Sequence, residues 1–191
     1  MRIMIHEHLL ASTERIVFFD IDSTLSSAVD HCTLAYQPSY NAYKKSIYND
    51  NWKTIRFANF VELSQSSIAL FAKFLEQTNA KAICIASWNT DRHEGVFIHE
   101  LKEAFEALSE FPDDWFLGCA GGGGGDRDVY TIKPFIKKLG FSGDFIAIDD
   151  SVFSYTDKSY AIKIDGRLGF NIHDYEKGLA LFGINEDPDL E

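Results

Sequence analysis

Ile16-Val17-Phe18-Phe19-Asp20-Ile21-Asp22-Ser23-Thr24-Leu25 joins four β-forming apolar residues to a tail in which acids and hydroxyls recur. An unbroken apolar run of this length, as opposed to an alternating one, is the pattern of a strand covered on both faces. Two other runs end just as abruptly. Ile83-Cys84-Ile85-Ala86 stops at Ser87, and Phe145-Ile146-Ala147-Ile148 stops at the pair Asp149-Asp150. Trp115-Phe116-Leu117 and Ala161-Ile162-Lys163-Ile164 are weaker strand candidates.

Helical spacing fills the intervals. Over 60–77 the residues Phe60, Leu63, Ser67, Leu70, Phe71, Phe74 and Leu75 share one face, and over 94–108 Phe97, Leu101, Ala104, Phe105 and Leu108 do the same. A third helix is expected over 129–139, closed by Gly140, and a fourth over 173–182. Strands alternating with helices predict βαβ crossovers, hence an α/β fold with a three-layer α/β/α (Rossmannoid) arrangement around a parallel sheet. The expected organisation is a single domain spanning 1–191. Residues 26–58 are too long for a plain connection, and they carry Tyr36, Tyr40, Tyr43, Tyr48 and Trp52 among Lys44, Lys45, Lys53 and Arg56. They read as a small cap or lid inserted after the first strand. Gly121 to Gly125 reads as a surface loop and not a P-loop, since no Gly-Lys-Ser/Thr follows; Arg127, just beyond it, can swing toward a bound anion.

Bulk properties narrow the functions. The chain has 191 residues and a formal net charge of -11, which excludes a protein devoted to coating nucleic acid, although a local site for a nucleotide or a nucleic-acid end stays open. Cys32, Cys84 and Cys119 are odd in number and show no zinc-like pairing. With an N-terminus that makes a poor signal peptide and no stretch of membrane-spanning length, a reducing cytoplasmic setting away from membranes is expected. His6, His8, His31, His93, His99 and His173 form no ligand-like cluster.

In open α/β sheets ligands bind beyond the carboxyl ends of the strands. Asp20, Ser87 and Asp149-Asp150 all fall there, so carboxylates from separate strands converge and need a cation between them. Oxygen donors with room for water and phosphate suit Mg²⁺.

The stretch Ile16 to Leu25 resembles the first signature of the haloacid dehalogenase superfamily, an apolar strand followed by Asp-x-Asp-x-Thr-Leu. Ser87, Lys133-Pro134 and Asp149-Asp150 follow in that superfamily's order, so the resemblance spans roughly 15–182 in motif order. It implies a phosphatase acting through an aspartyl-phosphate: Asp20 as nucleophile, Asp22 as general acid and base, and Ser87 and Lys133 holding the phosphoryl oxygens. Asp20, the Asp22 backbone carbonyl and the acidic pair would hold Mg²⁺, with Asp150 favoured as the direct ligand over Asp149. Lys137 and Lys138 are rivals to Lys133, but read better as a solvated helix face. Thr24, Trp88 and Asn89 are the candidate substrate contacts, Trp88 serving either to stack on substrate or to pack under the lid. Asp22 argues for phosphate-ester over carbon–halogen hydrolysis. The expected substrate is a nucleotide or other small phosphorylated metabolite. A phosphorylated polynucleotide end, a phosphotransfer reaction and a non-catalytic binding module on the same fold are the alternatives.

Overall fold

The computed structural model describes residues 3–5, 7–27, 63–86, 101–120, 125–151 and 155–184. In chain order these form β1 (Ile3–Ile5), α1 (Glu7–Leu10), β2 (Arg15–Phe19), α2 (Gln65–Thr78), β3 (Lys81–Cys84) and β4 (Phe116–Ala120). A π-helical turn (Asp128–Ile132) then runs into α3 (Lys133–Leu139), followed by β5 (Asp144–Asp149), β6 (Ala161–Lys163) and α4 (Ile172–Leu181). Residues 101–106 are also helical.

The six strands form one sheet in the order β1-β4-β3-β2-β5-β6. The β4-β3-β2-β5-β6 pairings are all parallel, as the apolar runs predict, and only β1 lies antiparallel, against β4. The decisive strand, β2, occupies the interior of the sheet. Its alternate residues enter two different cores: Val17 and Phe19 belong to the one with Ile68, Phe71, Phe105 and Leu179, whereas Ile16 and Phe18 belong to the one with Ile132 and Phe135, against which Leu10 packs. This split is why the run is continuous in sequence. Both faces are dry, so both pleat positions must be apolar. Phe18 and Phe19 are wholly buried, and each such side chain contributes about 1.5–3 kcal/mol through burial.

Helix boundaries follow local chemistry. The Ser64 hydroxyl accepts from the Ser67 N–H to start α2, and Asn79 in the left-handed region ends it. Asn171 and Asp174 form a reciprocal capping box at α4. Gly140, at φ +63°, closes α3 as expected. Trp115 lies just before β4, stacked on Phe111 with its indole N–H donating to Glu106 at 3.1 Å. Cys84 and Cys119 are both buried. The antiparallel β1 and the helix α1 were not signalled by the mixed polar N-terminus. Apart from Ser26 and Ser27, the expected lid lies outside the described residues, as do residues 94–100 of the second predicted helix. Among the described residues no helix is long and apolar enough to cross a membrane.

Candidate functional site

From β2 the chain moves outward through β3 to β4, then crosses back to continue on the other side of β2 with β5 and β6. The carboxyl ends of β2 and β5 therefore flank a topological switch point, where neighbouring connections diverge and leave a crevice. The register pairs Phe19 with Ile148, and the Asp20 N–H donates to the Ile148 carbonyl at 3.0 Å. The next residues out, Asp20 and Asp149, thus emerge side by side.

Carboxylate oxygens of Asp20, Asp149 and Asp150 all lie within 4.8 Å of one another. Asp20 and Asp149 are buried, and Asp150 is half-buried. The Ile21 N–H donates to Asp20 Oδ1 at 2.9 Å, which fixes the carboxylate at the strand end. Asp149 is held through both oxygens: Oδ1 accepts from the Ser151 N–H at 2.8 Å and Oδ2 from the Tyr155 hydroxyl at 2.9 Å.

A cation arrives from the β4–β5 crossover. Arg127 donates to Asp20 Oδ2 at 2.8 Å and to the Ile85 carbonyl at 2.9 Å, and its Nε lies 3.3 Å from Asp149 Oδ2. One guanidinium thereby binds the ends of three strands. Its own burial pulls its pKa down, but the charges of Asp20 and Asp149 outweigh that and raise it. Burial pushes the Asp149 carboxyl up to about 6; Arg127 pulls it back and Asp20 pushes it further. Asp150 is raised as well, by burial and then by Asp20. Burial and Asp149 together raise the Tyr155 phenol. Three carboxylates against one guanidinium leave a formal surplus of two negative charges (-3 + 1 = -2). The donor set is entirely oxygen, the chemistry of a hard divalent cation. Mg²⁺ with ligands at about 2.1 Å spans about 4 Å between opposite oxygens, so the cluster is close to the size such an ion needs.

The loop after β2 is a tight turn in which the N–H groups of Thr24, Leu25 and Ser26 all point at the Ile21 carbonyl, with Ser23 at φ +56°. Gly166 approaches this turn so closely that a Cβ there would lie 2.8 Å from Ser23 Cβ and 3.6 Å from Asp150 Oδ2. The wall of the crevice at that point is therefore backbone alone. Asp22 is exposed at the mouth of the turn.

Of the residues expected from sequence, Asp20, Asp149 and Asp150 come together. Thr24 does not join them as a substrate contact: it is wholly enclosed, its carbonyl accepts from the Phe170 N–H at 2.7 Å, and its hydroxyl has no hydrogen-bond partner among the described residues. Lys133 is also placed differently from the expectation. Its ammonium lies 2.7 Å from Asp128 Oδ2 with the side chain half exposed, and the charges that act on it most are those of Asp128, Asp157 and Asp126. The physical reason is the π-helical turn before it, in which the Lys133 N–H reaches back five residues to the Asp128 carbonyl. Arg127 occupies the position at Asp20 that was expected for Lys133. The available signal was its place as the first cation after the glycine run; Tyr155 had none. Ser87, Trp88 and Asn89 lie outside the described residues.

The fold and site together define an α/β protein with an acidic cluster, of a kind that could hold a metal ion, at a sheet switch point. No protein family matches the sequence, and neither a curated protein nor a solved structure matches the chain.

Proposed function

We propose that the protein is an Mg²⁺-dependent phosphomonoester hydrolase of the haloacid dehalogenase type, with Asp20 as its nucleophile. The observation that carries this reading is the Asp20 carboxylate. It is buried at the carboxyl end of the interior strand β2, beside two carboxylates from β5, and is gripped by Arg127.

Asp20 attacks the phosphorus, and the ester oxygen departs with a proton from Asp22, leaving an acyl phosphate on Asp20. Asp22 then takes a proton from water, which attacks the phosphorus, releasing inorganic phosphate and regenerating the carboxylate. Exposure of Asp22 at the crevice mouth suits a group that must meet both leaving oxygen and water. Arg127 takes the clamp role first given to Lys133, since its fork is already aimed at Asp20. Asp150 is the better candidate for direct metal contact, because both oxygens of Asp149 accept hydrogen bonds that hold it as support. Asp20 and the Asp22 carbonyl complete the expected set. When bound, Mg²⁺ neutralises charge between nucleophile and phosphate.

A nucleotide or other small phosphorylated metabolite is the preferred substrate over a polynucleotide end, on the formal net charge of -11. The test is hydrolysis of an aryl phosphate and of a nucleotide panel with Mg²⁺, beside Asp20→Asn. Activity that depends on Mg²⁺ and vanishes in the variant supports the proposal. Activity that survives in Asp20→Asn overturns the nucleophile, and inactivity across the panel favours a binding module.

A further inference from the structure

Outside the carboxylate trio, the most enclosed charge among the described residues is Asp128, which is wholly buried. Its Oδ2 accepts from Lys133 Nζ at 2.7 Å and from the Asp157 N–H at 3.3 Å, and its Oδ1 accepts from the Tyr160 hydroxyl. Asp126, on the other flank of Arg127, accepts from the Thr156 hydroxyl and, at 3.1 Å, from the Val129 N–H. Both neighbours of Arg127 are therefore fastened to residues 156–160.

Tyr155, the residue just before this stretch, donates to Asp149 Oδ2, the same oxygen that Arg127 Nε approaches. One short segment thus sets both ends of the Arg127–Asp149 contact. A long, flexible arginine side chain gains specificity only when its backbone origin is fixed, because each free rotor costs entropy on binding. The π-helical turn starts at Asp128, and such turns, rare overall, mark places where a helix has been adapted to a site.

We infer that Asp128 is a positioning residue: it anchors the origin of Arg127 over the strand-end carboxylates, and Lys133 and Tyr160 act on that anchor and not on substrate. The activity readout of this inference rests on the proposed hydrolase reading; the geometry does not. Asp128 balances its buried charge through Lys133, so the ammonium that the sequence suggests as a phosphate clamp is already engaged.

The test uses Tyr160→Phe and Lys133→Met, which spare the buried carboxylate itself, in ¹⁵N-labelled full-length protein. The Arg127 Nε–H cross-peak is assigned by its loss in Arg127→Lys. In both variants it moves toward the position of solvent-exposed arginines; an unmoved cross-peak overturns the inference whether or not the protein hydrolyses phosphate esters. Aryl phosphate hydrolysis supplies the second arm. Each variant loses about tenfold in the parent background, the scale of outer supporting groups, and nothing further in an Arg127→Ala background. Equal losses in both backgrounds mean that Lys133 or Tyr160 acts independently of Arg127, and the inference fails. A moved cross-peak in a protein without hydrolase activity leaves the positioning role intact and removes the hydrolase reading instead.

Discussion

Replacing Arg127 with methionine keeps the bulk of the side chain and removes the charge that binds Asp20 and Asp149. The cost at pH 7 has two parts. Asp149, held up at about 6, takes up a proton once its guanidinium partner is gone, and one pH unit of protonation costs about 1.4 kcal/mol. Asp20 loses a charged hydrogen bond at 2.8 Å from a side chain only 6% exposed, worth about 1.5–3 kcal/mol. The expected destabilisation is about 3–4 kcal/mol, in the range for removing one partner of a buried ion pair. At pH 5 Asp149 already carries its proton in the parent protein, so the first part disappears and the loss shrinks by about 1.4 kcal/mol. Urea unfolding of parent and variant at both pH values, in chelator and with slopes compared, measures this directly. A loss at pH 7 of less than about 1 kcal/mol, the size of an exposed pair, would show that Arg127 does not hold a buried ion pair, and equal losses at the two pH values would remove Asp149 from it.

Asp149→Asn gives a related result by a different route. The folded carboxyl lies above its ordinary 3.8, so the folded chain keeps a proton that the unfolded chain releases between about pH 4 and pH 6, and stability falls as pH rises through that window. The variant flattens that part of the metal-free stability curve; an unchanged slope assigns it to another group. Asp22→Asn, if Asp22 is the acid and base, slows turnover of alkyl phosphates by about 10²–10⁴ and spares the first step for good leaving groups, giving a burst of phenol before a slow steady state. Equal losses for both substrates without a burst would remove Asp22 from that role. Gly178→Ala in α4 sets two effects against each other. Alanine favours a helix by about 1 kcal/mol, but its Cβ would lie 2.6 Å from the Phe74 ring, an overpacking cost of about 1–3 kcal/mol. Thermal unfolding should show a lower Tm, and a rise would mean that α4 shifts freely.

The parts of the fold that could be read from sequence are those where burial leaves no choice of residue. The runs in β2, β3 and β5 are continuous because both sheet faces are packed, and their acidic endings mark where the strands leave the core. Asp20, Asp149 and Asp150 were legible for that reason. β1 escaped notice because its apolar run, Ile3 to Ile5, is only three residues long and is followed at once by His6, Glu7 and His8. The exchange of Lys133 for Arg127 was hidden for a different reason. A period of 3.6 residues fits 129–139 as one helix, and the wider turn at Asp128–Ile132 changes which cation faces the crevice without altering the apolar pattern. Tyr155 contributes through a single hydroxyl, which leaves no periodic trace. Thr24 follows the motif in spelling, yet the turn around Ile21 folds it inward.

The proposed intermediate is a covalent bond on one residue, Asp20. With Mg²⁺ and an aryl phosphate under turnover, rapid quenching into borohydride reduces an aspartyl phosphate to homoserine, and mass spectrometry of the peptide that contains Ile16 to Leu25 locates it. Homoserine is expected at position 20, present only when both Mg²⁺ and substrate are supplied. Phosphate release with Asp20 unmodified, or with the reduced residue at another position, would contradict it.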